Sequence, residues 1–117
     1  TVLILSQNKL KRLPDGIIEM TNLICLNVSD NQLSCLPKDI KRLQKLKVLE
    51  LRNNKLQRLD VDISCLKRLE KLSVNGNPLD FGAVRSLMDF KEKYQGRIHL
   101  DIAGGRKNIN FFYGHLG

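Results

Sequence analysis

The sequence repeats itself every 23 residues, and this period constrains the fold more than any other feature. Three segments that begin at Leu23, Leu46 and Leu69 each read L-x-x-L-x-(L/V)-x-x-N-x-L. A shorter copy in the same register ends at Leu10, so the match covers residues 1–79 without an insertion. One unit of this length cannot bury an apolar face alone, whereas stacked units share a continuous core. The period therefore predicts a solenoid of stacked units.

Each copy contains a short apolar alternation that predicts a β-strand. In two successive copies the alternating pairs are Leu26 with Val28 and Leu49 with Leu51. Side chains two positions apart lie on the same face of a strand, so these residues are expected to point into the core. Equivalent strands of successive copies then pair in parallel.

An asparagine follows each predicted strand at the point where the chain must turn. Its side-chain amide can hydrogen-bond to backbone groups that the turn leaves unpaired. Because the asparagines recur with the period, we expect them to stack into a structural ladder, which consists of Asn8, Asn31, Asn54 and Asn77.

The segment that returns to the next strand carries a second apolar series, L-P-x-x-I-x-x-L. Pro14 and Pro37 fix the backbone near its start. The few residues available fit an extended or 3₁₀ conformation rather than a long helix. The third copy has Asp60 in place of the proline, so its return is expected to be looser.

The period breaks after Leu79, where the sequence predicts an α-helix. Asp80 can cap the start of this helix, and Gly96 can end it. The residues expected to share its apolar face are Phe81, Val84, Leu87, Met88 and Tyr94.

A fifth strand and a capping helix are predicted after this helix. Apolar and polar residues alternate over 98–102, and Leu100 follows Leu72 by 28 residues, five more than the regular period. This longer unit has room for a true helix in place of the extended return. Apolar residues at helical spacing in 108–116 then predict a helix that covers the last core layer.

Together, the repeat motif and the L-P-x-x-I-x-x-L series resemble the leucine-rich-repeat family. The resemblance is to its 23-residue intracellular class, found in Scribble, Erbin and Ras-suppressor-like proteins. It implies an α/β solenoid with a parallel sheet on the concave face, extended or 3₁₀ returns on the convex face and a helical C-terminal cap. We expect leucine-rich repeats over residues 1–79, about four copies of which the first is truncated at its N-terminus. Residues 80–117 are expected to form a longer last repeat and the cap of the same domain.

Residue types that carry catalysis or bind metals are sparse. His99 and His115 are the only histidines, and neither stands in a motif with a nucleophile, a base or a metal partner. Cys25, Cys35 and Cys65 form no CxxC or Cys/His cluster, which argues against a zinc site and a disulfide framework. We therefore predict that the chain is not an enzyme and uses no metal or cofactor. Free thiols are typical of a reducing compartment, so an intracellular, cytoplasmic location is expected.

Two local features can each be interpreted either as a functional site or as part of the structure. Gly104 and Gly105, before Arg106 and Lys107, could hold an anion at a helix start, but a turn before the capping helix explains them as well. Cys25 is expected on the sheet surface, where it is either a reactive thiol or an unperturbed, partly covered one.

The net charge of +8 supports a rival function. Twenty Lys and Arg residues stand against twelve Asp and Glu, which is a hint of binding to nucleic acid or an acidic membrane surface. Between Lys38 and Lys71, however, most basic residues belong to the returns or their junctions, where a solvated outer face explains them. The sequence contains no uncharged apolar run of about 18 residues, so it predicts no transmembrane segment.

The outward positions of the predicted strands form the candidate partner-binding surface. The residues are Cys25, Asn27, Ser29, Asp30, Val48, Glu50, Arg52, Asn53, Lys71, Ser73 and Asn75. This surface is polar and mixed in charge towards its middle, and it offers a rigid array of side chains to an extended or helical partner. We therefore predict a protein–protein interaction module, and the family resemblance implies a role in signalling or scaffolding.

Overall fold

A computed structural model describes residues 1–59, 63–94 and 98–102 of this chain. Within these residues, five short strands form one parallel sheet whose order follows the chain. Their bounds are Val2–Ile4 for β1, Cys25–Asn27 for β2, Val48–Glu50 for β3, Lys71–Ser73 for β4 and His99–Asp101 for β5. The predicted parallel arrangement is confirmed.

The register of the sheet follows directly from the repeat. The central residues of the five strands are paired side by side, and they are Leu3, Leu26, Leu49, Leu72 and Leu100. Constant spacing in sequence becomes constant register because every copy has the same length between its leucines. In the last step, Leu72 pairs with Leu100 across the longer unit. The core leucines therefore stack in one continuous row.

Short 3₁₀ segments form the predicted returns on the outer side of the sheet. They span Asp15–Glu19, Lys38–Arg42 and Ile63–Cys65. The carbonyls of Pro14 and Pro37 each accept a hydrogen bond from the amide three residues later, at 3.1 Å. Each segment buries one isoleucine against the core, so the prediction of 3₁₀ returns is confirmed. The looser return predicted at Asp60 lies outside the described residues.

Helix α1, which spans Phe81–Lys93, takes the place of a 3₁₀ return between β4 and β5. Asp80 caps it as predicted, because its side chain accepts a hydrogen bond from the amide of Ala83 at 2.8 Å. Helix residues that pack into the core are Ala83, Val84, Leu87 and Phe90. The prediction that Phe81 shares this face is wrong, and Phe81 is 43% exposed. At 3.6 residues per turn it lies roughly 120° around the helix from Leu87.

Between the sheet and the returns lies an almost entirely aliphatic core. Leu26, Leu49 and Leu72 are fully buried at its centre, and Phe90 closes one side. Tyr94 is half-buried and packs edge-on against Phe90 with ring centroids 5.0 Å apart. The predicted helix end at Gly96 and the predicted capping helix over 108–116 lie outside the described residues. Over the ranges that the structure covers, no helix is long and apolar enough to cross a membrane.

Candidate protein-binding surface

The outward side chains of the strands and of the residues just after them form a surface that we call the sheet face. Strand pairing arranges these side chains in rows that run across the repeats, with about 4.8 Å between neighbouring strands. The first row is Val2, Cys25, Val48, Lys71 and His99, and the second is Ile4, Asn27, Glu50, Ser73 and Asp101. The pairing of the strand backbones fixes the spacing between neighbouring side chains along each row.

Two further rows continue the surface beyond the strands. The third row is Ser6, Ser29, Arg52 and Asn75, and the fourth is Gln7, Asp30, Asn53 and Gly76. Amide-to-carbonyl bonds between adjacent repeats hold these rows in register, since Gln7 donates to Ser29, Asp30 to Arg52 and Asn53 to Asn75. Their donor–acceptor distances are 2.9–3.1 Å. The ordered surface is therefore wider than the three-residue strands.

All four residues of the fourth row have a left-handed backbone, which the sequence reasoning missed. Their φ angles are 62° for Gln7, 58° for Asp30, 57° for Asn53 and 79° for Gly76. Asn, Asp and Gly tolerate this conformation, and their recurrence at this position was the available signal. At Gly76 a Cβ would also lie 2.0 Å from Oδ1 of Asn53, so only glycine fits without displacing that side chain.

Below the sheet face, the asparagine side chains bridge adjacent repeats. Asn54 Nδ2 donates to the Leu51 carbonyl in its own repeat and to the Val28 carbonyl in the preceding one, each at 3.0 Å. Its Oδ1 accepts from the amide of Leu33 at 3.0 Å. Asn31 and Asn77 make equivalent bonds. The same side chain thus connects the turn of one repeat to the strand end of the one before.

Asn8 differs from the other three asparagines. It is exposed, and its Nδ2 donates to the carbonyls of Leu5 and Ser6, which both belong to its own repeat. Its side chain makes no bond to another repeat among the described residues. Its backbone amide does join the stack, because it donates to Oδ1 of Asn31 at 2.9 Å.

Charged groups on the sheet face are paired unevenly. Lys71 Nζ lies 3.3 Å from the carboxylate of Glu50, whose side chain is 17% exposed. Asp30 Oδ1 accepts a hydrogen bond from Asn53 Nδ2 at 2.8 Å. Arg52 is exposed, and no carboxylate of the described residues pairs with its guanidinium. Within the described ranges, the middle of the face therefore carries two acids that have partners and one base outside any ion pair.

Most residues predicted for partner binding are accessible on this face, but two are not. Ser29 and Ser73 are 2% and 1% exposed, so neither offers a surface that a partner can cover widely. They are outward by strand alternation but buried in the folded chain. At the β1 end of the face, Val2 and Ile4 are 61% and 62% exposed and make an apolar margin on β1 itself.

Comparisons with known proteins agree with this geometry. Two family models match the chain, "Leucine Rich Repeat" over residues 22–43 and "Leucine rich repeat" over residues 40–79. A solved leucine-rich-repeat protein of Leptospira interrogans is similar, with 36% sequence identity and a TM-score of 0.74 over 86% of this chain. This chain belongs to the leucine-rich-repeat family. It spans 25% of the Leptospira chain, and no curated protein matches it.

Leucine-rich-repeat domains generally mediate protein–protein interaction and are typically not enzymes. In this solenoid the sheet face corresponds to the concave side and the 3₁₀ segments to the convex side, which we call the outer face. The parts that the structure describes hold no cluster of His, Cys, Asp or Glu able to bind a metal ion. His99 is exposed at the end of the first row, whereas His115 and the Gly104–Gly105 anion candidate lie outside the described residues.

A cavity of about 260 Å³ lies away from the sheet face. Its lining residues come from the third 3₁₀ segment and from α1, and they are Ser64, Ser86, Asp89, Phe90 and Lys93. Its lining includes no residue of the four rows and none of the residues predicted to bind a partner. It therefore adds nothing to the candidate surface.

The thiol of Cys25, in the first row, is half-buried. Burial raises its pKa above the ordinary value of a cysteine, the charge of Glu50 raises the pKa further, and Lys71 lowers it in part. A raised pKa leaves less thiolate at neutral pH, and the thiolate is the reactive form. The electrostatics of the face thus favour a covered, unreactive thiol at Cys25.

We expect Glu50→Gln to make Cys25 react faster with iodoacetamide at neutral pH, because removing the carboxylate lowers the pKa of the thiol. Mass spectrometry would follow alkylation of Cys25, with the exposed Cys35 as an internal reference. Glu70→Gln is the control, because it removes the same charge at a residue that does not shift the pKa of Cys25. It should leave the alkylation rate of Cys25 unchanged. Equal rates in both variants would contradict the role of Glu50.

Proposed function

We propose that this chain binds another protein through its sheet face, in intracellular signalling or scaffolding. The observation that carries this proposal is the set of four ordered rows of mostly polar side chains. Backbone hydrogen bonds between repeats fix the positions of these side chains before a partner arrives. A partner therefore gains contacts with little loss of conformational entropy on this side of the interface.

The shape and chemistry of the face suit a protein more than a small molecule. Small-molecule sites are concave pockets that enclose most of the ligand, whereas the rows offer contacts along an extended line. An extended or helical segment can contact several strands at once. The apolar margin formed by Val2 and Ile4, next to the polar middle, resembles the mixed character of protein interfaces.

The intracellular part of the proposal is supported by the thiols. Cys25, Cys35 and Cys65 are free, and Cys35 is exposed. Exposed free thiols persist in the reducing cytosol and are oxidised more readily outside the cell. A cytoplasmic location is accordingly the one we propose.

Binding of nucleic acid or an acidic membrane on the outer face is the second candidate. It is favoured by exposed basic side chains such as Lys41 and Arg42 in the second 3₁₀ segment. Over residues 38–58, however, the chain contains no Phe, Tyr or Trp on which bases could stack. Asp39 and Glu70 also interrupt the basic surface, and Glu70 lies 4.0 Å from Lys47. We therefore rank this function below protein binding.

The test of the proposal exchanges two charges without changing their sum. Glu50→Arg with Arg52→Glu keeps the net charge and alters the pattern at the centre of the face. We expect partner affinity to fall about tenfold or more, which corresponds to about 1.4 kcal/mol. Quantitative mass spectrometry would compare proteins captured from cell lysate by both forms, with the captured partner then titrated by calorimetry.

A matched control makes the same kind of exchange on the outer face. Asp39→Arg with Arg42→Asp also keeps the net charge and should leave capture unchanged. Lys41→Glu with Arg42→Glu tests the basic outer face itself. If the outer-face variants abolish capture while the central exchange leaves it intact, the binding surface is the outer face. Thermal unfolding of every variant would establish that each is folded.

A further inference from the structure

Arg52 stands out on the sheet face because its charge has no ion-pair partner among the residues that the structure describes. It occupies the centre of the third row, between Ser29 and Asn75, and it is exposed. Neither ion pair among the described residues includes it. Since arginine remains charged at any physiological pH, this guanidinium is a permanent positive centre in the row.

Of the acids in the two neighbouring rows, Glu50 and Asp30, on the repeats of β3 and β2, already have partners. Glu50, in the second row, is held by Lys71 at 3.3 Å. Asp30, in the fourth row, accepts a hydrogen bond from Asn53 at 2.8 Å. Glu50 is thus paired with a residue of the first row, and Asp30 with a residue of its own row. The two acids closest to Arg52 in the sheet are therefore engaged, whereas Arg52 itself is in neither ion pair of the described residues.

A second observation concerns the two residues that flank Arg52. Oγ of Ser29 and Oδ1 of Asn75 are buried, and neither has a hydrogen-bond partner among the described residues. Buried polar groups are nearly always hydrogen-bonded, so two exceptions in one row need an explanation. Ser29 and Asn75 are the neighbours of Arg52 in the third row. Of these three side chains only that of Arg52 is exposed, so it is the one that a partner can reach.

We propose that this row binds an acidic segment of the protein partner, with an Asp or Glu carboxylate on the guanidinium of Arg52. A carboxylate can accept two parallel N–H bonds from arginine, which is the geometry that arginine favours. The Ser29 hydroxyl and the Asn75 carbonyl oxygen are buried, so the bound carboxylate contacts the exposed Arg52 side chain and not these two atoms.

The charge of the whole chain favours the same partner. A net charge of +8 attracts an acidic protein and accelerates its encounter with the chain. Arg52 then selects where the acidic residue binds. This inference rests on the proposed function, because it assigns a partner chemistry to the sheet face.

A phage-displayed library of random linear peptides, selected on the intact chain, provides the probe. We expect the selected peptides to be enriched in Asp or Glu. Peptides enriched without acidic residues would overturn the inference, and so would the absence of any enrichment. Neither result would affect the lysate test with the Glu50 and Arg52 exchange, so failure here is distinguishable from failure of the proposed function.

Fluorescence anisotropy with the best selected peptide then tests whether Arg52 contributes to binding. Arg52→Gln should weaken binding about tenfold or more, and Arg52→Lys should weaken it less because the charge remains without the bidentate geometry. Arg42→Gln makes the same change of charge on the outer face and should alter affinity less than about twofold. Equal losses of peptide affinity in Arg52→Gln and Arg42→Gln would overturn the assignment of the binding site to the third row. They would indicate long-range electrostatic attraction alone.

A double-mutant cycle identifies the contact itself. The acidic residue of the peptide is replaced by its amide, and both peptides are measured against both chains. If Arg52 binds that carboxylate, the two changes together should cost clearly less than the sum of the single losses. Additive losses would place the carboxylate elsewhere and overturn the proposed contact.

Discussion

Leu49→Ala should destabilise the chain by about 2–5 kcal/mol, the usual loss when a buried leucine is truncated. Leu49 lies at the centre of β3, is fully buried and is paired with Leu26 on one side and Leu72 on the other. A cavity at this position removes contacts from two repeats at once. In a solenoid each repeat is stabilised mainly by its neighbours, so the loss affects both interfaces.

Chemical denaturation followed by circular dichroism measures this loss. Ile4→Ala is the matched control, since Ile4 is an aliphatic residue of the same sheet but points to solvent. We expect the control to cost less than about 0.5 kcal/mol. Similar losses for the two variants would mean that the leucine row does not form the stabilising core.

The fold could be predicted because one short pattern is repeated at constant spacing. Once Leu26 and Leu49 are assigned to equivalent strand positions, parallel pairing and register follow from the common length of the copies. The 3₁₀ returns follow from proline and from the small number of residues available. At Phe81 the prediction failed because the pattern no longer repeats there, and a helix face must be inferred from one short segment.

The rows of the candidate site were also predictable, but the state of each side chain was not. Strand alternation places Ser29 and Ser73 on the outward face, yet small side chains between larger ones become buried. The pairing of Glu50 with Lys71 depends on which rotamers reach across a strand, which no spacing rule specifies. The isolation of Arg52 follows from those pairings and therefore became visible only in three dimensions.

Rigidity of the sheet face depends on the asparagines beneath it. Asn54 lies two positions beyond Arg52, and its Nδ2 also approaches the Arg52 carbonyl at 3.2 Å. The backbone that presents the third row is thereby tied to the preceding repeat through Val28 and Leu33. Loss of this connection would loosen the row as well as the stack.

Asn54→Ala is expected to destabilise the fold by about 1–3 kcal/mol, because it leaves the buried amide of Leu33 without an acceptor and removes one of the two asparagine donors from each of two buried carbonyls. The carbonyls of Val28 and Leu51 would lose a donor, and the amide of Leu33 would lose its acceptor. Asn8→Ala is the control, since the Asn8 side chain is exposed and bonds only within its own repeat, so we expect a smaller loss. Urea denaturation of both variants measures the difference. The prediction is contradicted if the free energy of unfolding falls by less than about 0.5 kcal/mol in Asn54→Ala, or by no more than in Asn8→Ala. The bonds that Asn54 makes between repeats would then add little to stability.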